Sequence, residues 1–193
     1  MEKLKVAVIQ LTSSNEIREN ETLIAEALKR IEGAGVELVV FPENVWFMRL
    51  AEGEGFPDFG SPSSAPFRDK LQAWVDANGA AVVLGSVPLG REVGGKPYAA
   101  TVVFTPGESW SVPYTKVHLF DVDVAGHRPV RESDHLKPGE GPAVWTYKSW
   151  RFGCAICYDV RFSELFSQYA AAGVDALFLP SAFLVPTGRQ HWE

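Results

Sequence analysis

The sequence predicts an α/β protein in which a parallel sheet is covered by helices. Near its start, an apolar run at 5–11 is followed by a helical pattern at 15–33 and a second apolar run at 36–42. This is the order of a βαβ unit, which implies parallel strands. The same order returns at 152–180, where the segment AGVDALFLP (172–180) matches AGVELVVFP (34–42) at four of nine positions. We therefore expect two similar halves.

The individual elements follow from hydrophobic spacing and from glycine and proline punctuation. Apolar residues at helical spacing fill 15–33, and Gly33 and Gly35 follow them. The segment 44–66 is rich in Gly, Pro and Ser, which predicts a long surface loop. The remaining predictions are a helix at 66–78, a strand at 80–87, a hairpin of strands 98–105 and 110–119, a polar loop at 120–141, a strand at 152–158, a helix at 163–172 and a strand within 172–180.

Composition limits the classes of function. With 193 residues, 46% of them apolar, the chain is predicted to be one domain over 1–193. The net charge of -6 and the lack of a Lys/Arg cluster argue against a nucleic-acid partner. We find neither a signal-peptide pattern nor a membrane-length apolar run, so we expect a cytoplasmic protein with no membrane partner.

Cys157 admits three interpretations. A redox pair with Cys154 is disfavoured because two residues three apart on a strand lie about 10 Å apart, whereas a disulfide needs less than about 7 Å. A zinc site lacks a second Cys/His pair, so we predict no metal. Core filling and nucleophilic catalysis stay open. The second is favoured by the expected position of Cys157 at a strand end, where parallel sheets bind ligands.

Two charged residues are candidates to act with such a cysteine. Glu43 directly follows the apolar run 36–42, again at a predicted strand end, although most glutamates are simply solvated. Lys116 lies in an apolar, strand-like stretch, where a lysine usually occupies an exposed position. Beside a cysteine and a glutamate, its charge would stabilise a thiolate or an oxyanion.

Three motifs together carry a family resemblance: VVFPE (39–43), YTKVHLFD (114–121) and GCAICYDVRFSEL (153–165). In this order they resemble the carbon-nitrogen hydrolase (nitrilase) superfamily, and most of all its Nit-type amidase branch. The resemblance implies a four-layer α-β-β-α sandwich and a triad of Glu43 as general base, Lys116 as stabiliser of the tetrahedral intermediate and Cys157 as nucleophile. It further implies that Glu132 supports the lysine.

The mechanism implied by this resemblance needs no metal or organic cofactor. The backbone N–H of Tyr158 would share the oxyanion with the lysine. The segment 181–193 is similar to the family's pocket-lining stretch, which makes Phe183 and His191 candidate substrate-binding residues. Arg161 is a candidate to bind a substrate carboxylate, and a surface ion pair is its alternative.

The expected reaction is hydrolysis of a small linear carboxamide through a cysteine thioester. The implied substrates are an ω-amide of a keto acid or a deaminated glutathione-like compound, and the products are the carboxylic acid and ammonia. Nitrile hydrolysis by the same triad and a non-catalytic binding module are the alternatives. Chains of this family continue beyond the point that matches Glu193. We therefore expect the sandwich to lack its C-terminal elements, and a longer form to be a homodimer or higher homo-oligomer.

Overall fold

The computed structural model describes residues 3–51, 53–90, 95–123, 130–183 and 189. Within these ranges the helices are α1 (Ile17–Arg30), α2 (Ala65–Asn78) and α3 (Ser163–Ala172). The strands are β1 (Val6–Val8), β2 (Leu38–Val40), β3 (Ala81–Leu89), β4 (Tyr98–Phe104), β5 (Ser111–Thr115), β6 (Asp121–Val122), β7 (Val130–Arg131), β8 (Val144–Tyr147), β9 (Trp150–Cys154) and β10 (Ala176–Phe178). Short 3₁₀ turns cover Pro62–Ser64, Glu132–Asp134 and Cys157–Arg161.

The larger sheet has the strand order β1-β2-β3-β4-β5. Strands β1, β2 and β3 are parallel, and α1 makes the crossover between β1 and β2. Strands β4 and β5 pair antiparallel, with a turn at Pro106 and Gly107 between them. Both the first βαβ unit and the hairpin predicted from the sequence are therefore confirmed.

The smaller sheet has the order β10-β9-β8. Strands β9 and β10 are parallel and α3 connects them, which confirms the second βαβ unit. The polar loop predicted at 120–141 contains the short antiparallel strands β6 and β7, and strand β8 was likewise not predicted. It pairs antiparallel with β9 through the turn at Lys148 and Ser149, in which Lys148 adopts a positive φ of 52°. A four-residue strand gives too short an alternation to stand out from the loop before it.

The four layers follow from where each apolar face is buried. Helices α1 and α2 pack on one face of the larger sheet through Ile24, Leu28, Leu71 and Val75. The other face meets the smaller sheet in a second apolar cluster, whose main members are Leu38, Ala81, Val83, Val103, Tyr147, Phe152, Cys154 and Phe178. Helix α3 covers the far side of the smaller sheet through Leu165 and Tyr169. The predicted α-β-β-α arrangement is thus confirmed.

Several predicted strands are too long: β5, for example, ends at Thr115 and not at 119. Strand β9 ends at Cys154, whereas the apolar run had predicted a strand to Tyr158. The chain then bends, because Cys157 adopts a positive φ of 46° and begins a 3₁₀ turn. An apolar run indicates that a segment is buried, but it does not show whether the segment is a strand or a buried turn. None of the helices in the described ranges is long and apolar enough to cross a membrane.

Candidate active site

Glu43 lies just beyond the carboxyl end of β2 and is 6% exposed. The backbone reverses at the next residue, Asn44, which has a positive φ of 55°. Ser86 holds this turn, since its hydroxyl accepts a hydrogen bond from the Asn44 N–H at 2.8 Å and its carbonyl accepts one from Val45 N–H at 3.3 Å. The turn directs the Glu43 carboxylate into the interior, so the alternative of a solvated loop residue is wrong.

Lys116 follows the last residue of β5 and is 2% exposed, which contradicts the usual expectation of an exposed strand lysine. Its main chain is held on both sides: the N–H donates to Ala99 O at 2.9 Å, and the carbonyl accepts from Gly139 N–H at 2.7 Å. Its Nζ lies 3.1 Å from Glu43 Oε1 and 2.9 Å from Glu132 Oε2. The ammonium group therefore bridges two carboxylates.

Glu132 begins the 3₁₀ turn after β7. Its Oε2 also accepts a hydrogen bond from the Phe120 N–H at 2.6 Å, which fixes the carboxylate against the loop that follows Lys116. The structure thus places the Glu132 carboxylate beside the Lys116 ammonium.

Cys157 is half-buried and begins its 3₁₀ turn at a left-handed backbone conformation. Its N–H donates to Pro180 O at 3.0 Å, and the Glu43 side chain lies close enough to its thiol to raise the pKa of that thiol. Both Cys154 and Cys157 are free thiols, and Cys154 is fully buried. The three predicted triad residues are therefore brought together, with Glu43 in contact with both partners.

The charges of the site follow from burial and proximity. Burial, reinforced by the negative charge of Glu43 and opposed by Lys116, raises the pKa of the Cys157 thiol to about 12. Burial also raises the pKa of Glu43 above its ordinary value, although the charge of Lys116 opposes this. Burial alone would lower the pKa of Lys116, but the charges of Glu43 and Glu132 outweigh it and the pKa rises. At neutral pH the site therefore holds a neutral thiol beside a charged ammonium.

The segment after β10 completes the site. Its Ala182 N–H donates to Glu43 Oε2 at 2.7 Å, and its Pro180 carbonyl holds the turn of Cys157. Gly85 makes this close approach possible, because a Cβ there would lie 2.4 Å from both Phe41 O and Pro180 Cβ. Sequence reasoning missed Gly85 and Ser86 and included Ala182 only within the pocket-lining segment 181–193, because the partners of all three are distant in the chain.

Asp159 is a further missed residue. It is fully buried in the turn that begins at Cys157, and its carboxylate accepts hydrogen bonds from Tyr114, His118 and Ile156. The sequence signal at Asp159 is an acidic residue directly after an apolar run, which predicts no particular role.

The remaining predicted site residues lie near Cys157 in the chain or in the segment after β10. Tyr158 is half-buried, and its ring packs edge-to-face on Phe120 and Phe162. Arg161 is exposed at the end of the Cys157 turn, and Phe183 is half-buried. His191 lies outside the described residues. Among the residues that the structure does describe, no cluster of His, Cys, Asp and Glu is suited to hold a metal ion.

Curated relatives match the whole chain. It is 34% identical to omega-amidase NIT2 of Danio rerio over 194 residues, and 34% identical to omega-amidase NIT2 of Bos taurus over 193 residues. It is 31% identical to deaminated glutathione amidase of Yersinia enterocolitica over 196 residues. In each case the match spans 100% of this chain and 68% of the relative.

Solved structures share the architecture. The NitFhit protein of C. elegans superposes with a TM-score of 0.83 at 28% identity, covering 97% of this chain and 46% of that one. Nit3 of Saccharomyces cerevisiae, a member of the nitrilase superfamily, gives 0.72 at 30% identity, covering 98% and 68%. The family model for carbon-nitrogen hydrolases matches residues 5–193. This match over nearly the whole chain, together with the identity to the relatives above, shows that the chain belongs to the carbon-nitrogen hydrolase family.

Proposed function

We propose that this chain is an amidase that hydrolyses the ω-amide of a small keto acid, or a deaminated glutathione-like amide, to the acid and ammonia. The observation that carries the proposal is the contact of Glu43 with both the Lys116 ammonium and the Cys157 thiol. The names of the relatives, omega-amidase and deaminated glutathione amidase, support this substrate class.

In the first step, Glu43 accepts the thiol proton while Cys157 Sγ attacks the carboxamide carbon. Because the pKa of the thiol is raised to about 12, the proton leaves as the new bond forms rather than beforehand. Because the pKa of Glu43 is raised, its ionised carboxylate is a stronger acceptor for the thiol proton than an ordinary glutamate. The Lys116 ammonium and the N–H of Tyr158, which lies in the first turn after Cys157, stabilise the developing oxyanion.

In the second step, the C–N bond breaks and Glu43 returns its proton to the departing ammonia, which leaves a thioester on Cys157. Water then attacks the thioester carbon and gives its proton to Glu43, and the acid is released as that proton returns to the thiolate. The sum is amide plus water to acid plus ammonia. The lysine keeps its charge throughout, because Glu132 holds its ammonium at 2.9 Å while Glu43 carries the transferred proton.

The test of this function is ammonia release on a panel of ω-amides and matched nitriles, with Cys157→Ala beside the unchanged chain. We expect release from the ω-amides, loss in the variant, and a thioester mass adduct on the Cys157 peptide. Release from the nitriles alone would favour the alternative reaction of the same triad. A folded chain that gives neither ammonia nor an adduct would favour a binding module.

Arg161 is the residue that we propose binds the free carboxylate of the substrate. It lies four residues after Cys157 in the same 3₁₀ turn, about 8 Å along its axis. We expect Arg161→Met to raise KM for carboxylate-bearing amides about ten- to a hundredfold, the effect of losing a charge-assisted hydrogen bond. Steady-state kinetics on acidic and uncharged amides would measure this. Arg151→Met, an exposed arginine on β9, is the control. Equal losses on both kinds of amide would contradict the role.

The walls of the pocket are proposed to include Phe183 and His191.

The proposed location follows from the cysteines. A thiol nucleophile works in a reducing compartment, and both cysteines are free, which supports a cytoplasmic location.

The proposed oligomeric state follows from the sheet edges. Val8 on β1 is 80% exposed and Leu177 on β10 is 43% exposed, so both sheets present apolar edge strands. Such edges favour association, and we propose a homo-oligomer, which sedimentation would detect.

A further inference from the structure

The Asp159 carboxylate joins two segments of the chain, 114–118 and 156–162, and is 0% exposed. Its Oδ2 accepts hydrogen bonds from the Tyr114 hydroxyl at 2.7 Å and from the Ile156 N–H at 2.8 Å. Its Oδ1 accepts one from the His118 N–H at 2.9 Å and lies 2.8 Å from His118 Nδ1. Each oxygen of Asp159 therefore has two polar partners. A carboxylate can accept hydrogen bonds at both oxygens, whereas the NH₂ group of a carboxamide can only donate them.

These partners are the immediate neighbours of two proposed triad residues. Ile156 precedes Cys157, and His118 comes two residues after Lys116. The Tyr114 hydroxyl extends the connection, because it also accepts a hydrogen bond from the N–H of Val117 at 3.3 Å. One carboxylate therefore joins the main chain beside the cysteine to the main chain beside the lysine.

A ring contact joins the same two segments. The imidazole of His118 stacks on Phe162 with centroids 3.6 Å apart and planes 7° from parallel. Phe162 directly follows the Cys157 turn, and its N–H donates to Asp159 O at 3.0 Å. Both ends of the turn are therefore held against the loop that follows Lys116.

We infer that Asp159 is a positioning residue, which fixes Cys157 relative to Lys116 through these hydrogen bonds; we call this arrangement the Asp159 clamp. The inference rests on the proposed function. Attack on the amide requires Sγ and the ammonium to flank one carbonyl group, and a misplacement of about 1 Å can cost about a hundredfold in rate. Because the Asp159 side chain is 0% exposed, a bound substrate cannot reach it, and its loss should act on turnover and not on substrate affinity.

The test compares Asp159→Asn with Asp175→Asn. Asp175 is a matched control, because its exposed carboxylate also accepts a backbone hydrogen bond, from Arg151 N–H at 2.8 Å, on a segment with no proposed catalytic role. We expect Asp159→Asn to lower kcat on an ω-amide about a hundredfold with KM within about threefold, and Asp175→Asn to change kcat less than about twofold. A folded Asp159→Asn that matches the control, or whose loss lies in KM, overturns the clamp.

Two further measurements keep the test decisive. Should Asp159→Asn fail to fold, Tyr114→Phe removes only the hydroxyl bridge. It is expected to lower kcat about five- to tenfold, the effect of one hydrogen bond, and an unchanged kcat overturns the clamp. Iodoacetamide labelling of Cys157 needs no substrate, and its rate should fall at least about tenfold in Asp159→Asn. A chain that releases no ammonia but shows this fall refutes the proposed function and retains the clamp.

Discussion

Lys116→Met is expected to damage both the stability and the activity of the protein. The ammonium is 2% exposed and lies within 3.1 Å of Glu43 and 2.9 Å of Glu132, so its removal leaves two carboxylates without their cation. Breaking a buried ion pair costs about 3–5 kcal/mol, and the raised pKa of Glu43 places this case near the lower figure because the carboxyl can become neutral. Urea unfolding would measure the loss.

The same variant should lose about a hundred- to a thousandfold in kcat, the cost of removing one group that stabilises an oxyanion. Lys70→Met is the control, since Lys70 is exposed on α2. It should leave both the free energy of unfolding and the ammonia release unchanged. A Lys116→Met protein that unfolds at the wild-type urea concentration would show that the two carboxylates do not depend on the ammonium.

Glu43→Gln is expected to be the most severe conservative change. A carboxamide cannot accept the thiol proton, and general-base catalysis contributes about a hundred- to ten-thousandfold. The pKa of the Cys157 thiol is raised to about 12, so very little thiolate exists at neutral pH to bypass the base. Stopped reactions with mass detection should show neither ammonia nor a thioester. Glu54→Gln is the control, because the Glu54 carboxylate accepts hydrogen bonds from the N–H groups of Leu50 and Ala51 within the loop after β2.

The pH dependence of the wild-type chain offers a further check on Glu43. The base acts only when ionised, so kcat/KM falls as the pH drops through its pKa. Burial raises that pKa above the ordinary glutamate value of 4.5, hence the acidic limb should lie above pH 4.5. An acidic limb at or below that value would show that a different, solvated carboxylate controls the rate.

Local patterns predicted the frame of the fold well. The helical spacing in Ile17–Arg30 and the strand runs around Leu38–Val40 and Ala81–Leu89 are properties of neighbouring residues, and the structure confirms them. The matching segments near 34–42 and 172–180 correspond to β2 and β10, which occupy equivalent places in two βαβ units. The motifs likewise indicated the three residues that the structure brings into contact.

Long-range contacts were beyond such patterns. Ser86 holds the turn after Glu43 across 42 residues, and Tyr114 reaches Asp159 across 45. Nothing near these residues in the chain indicates those partners, because sheet packing decides them. The turn at Cys157 was misassigned for a related reason: its positive φ is maintained by hydrogen bonds to Pro180 and within the Asp159 clamp, not by a local preference of cysteine.

The hydrogen bond from Ala182 to Glu43 joins residues 139 positions apart, and the Lys116 ion pair with Glu43 spans 73. Closing such loops carries an entropic cost that must be met before the contacts form. A refolding chain can therefore regain its helices and even one complete sheet while it still has no base beside its thiol. Catalytic competence should thus be a late and cooperative event, reached only when the two sheets dock, and a partly folded molecule would carry no stray hydrolytic activity.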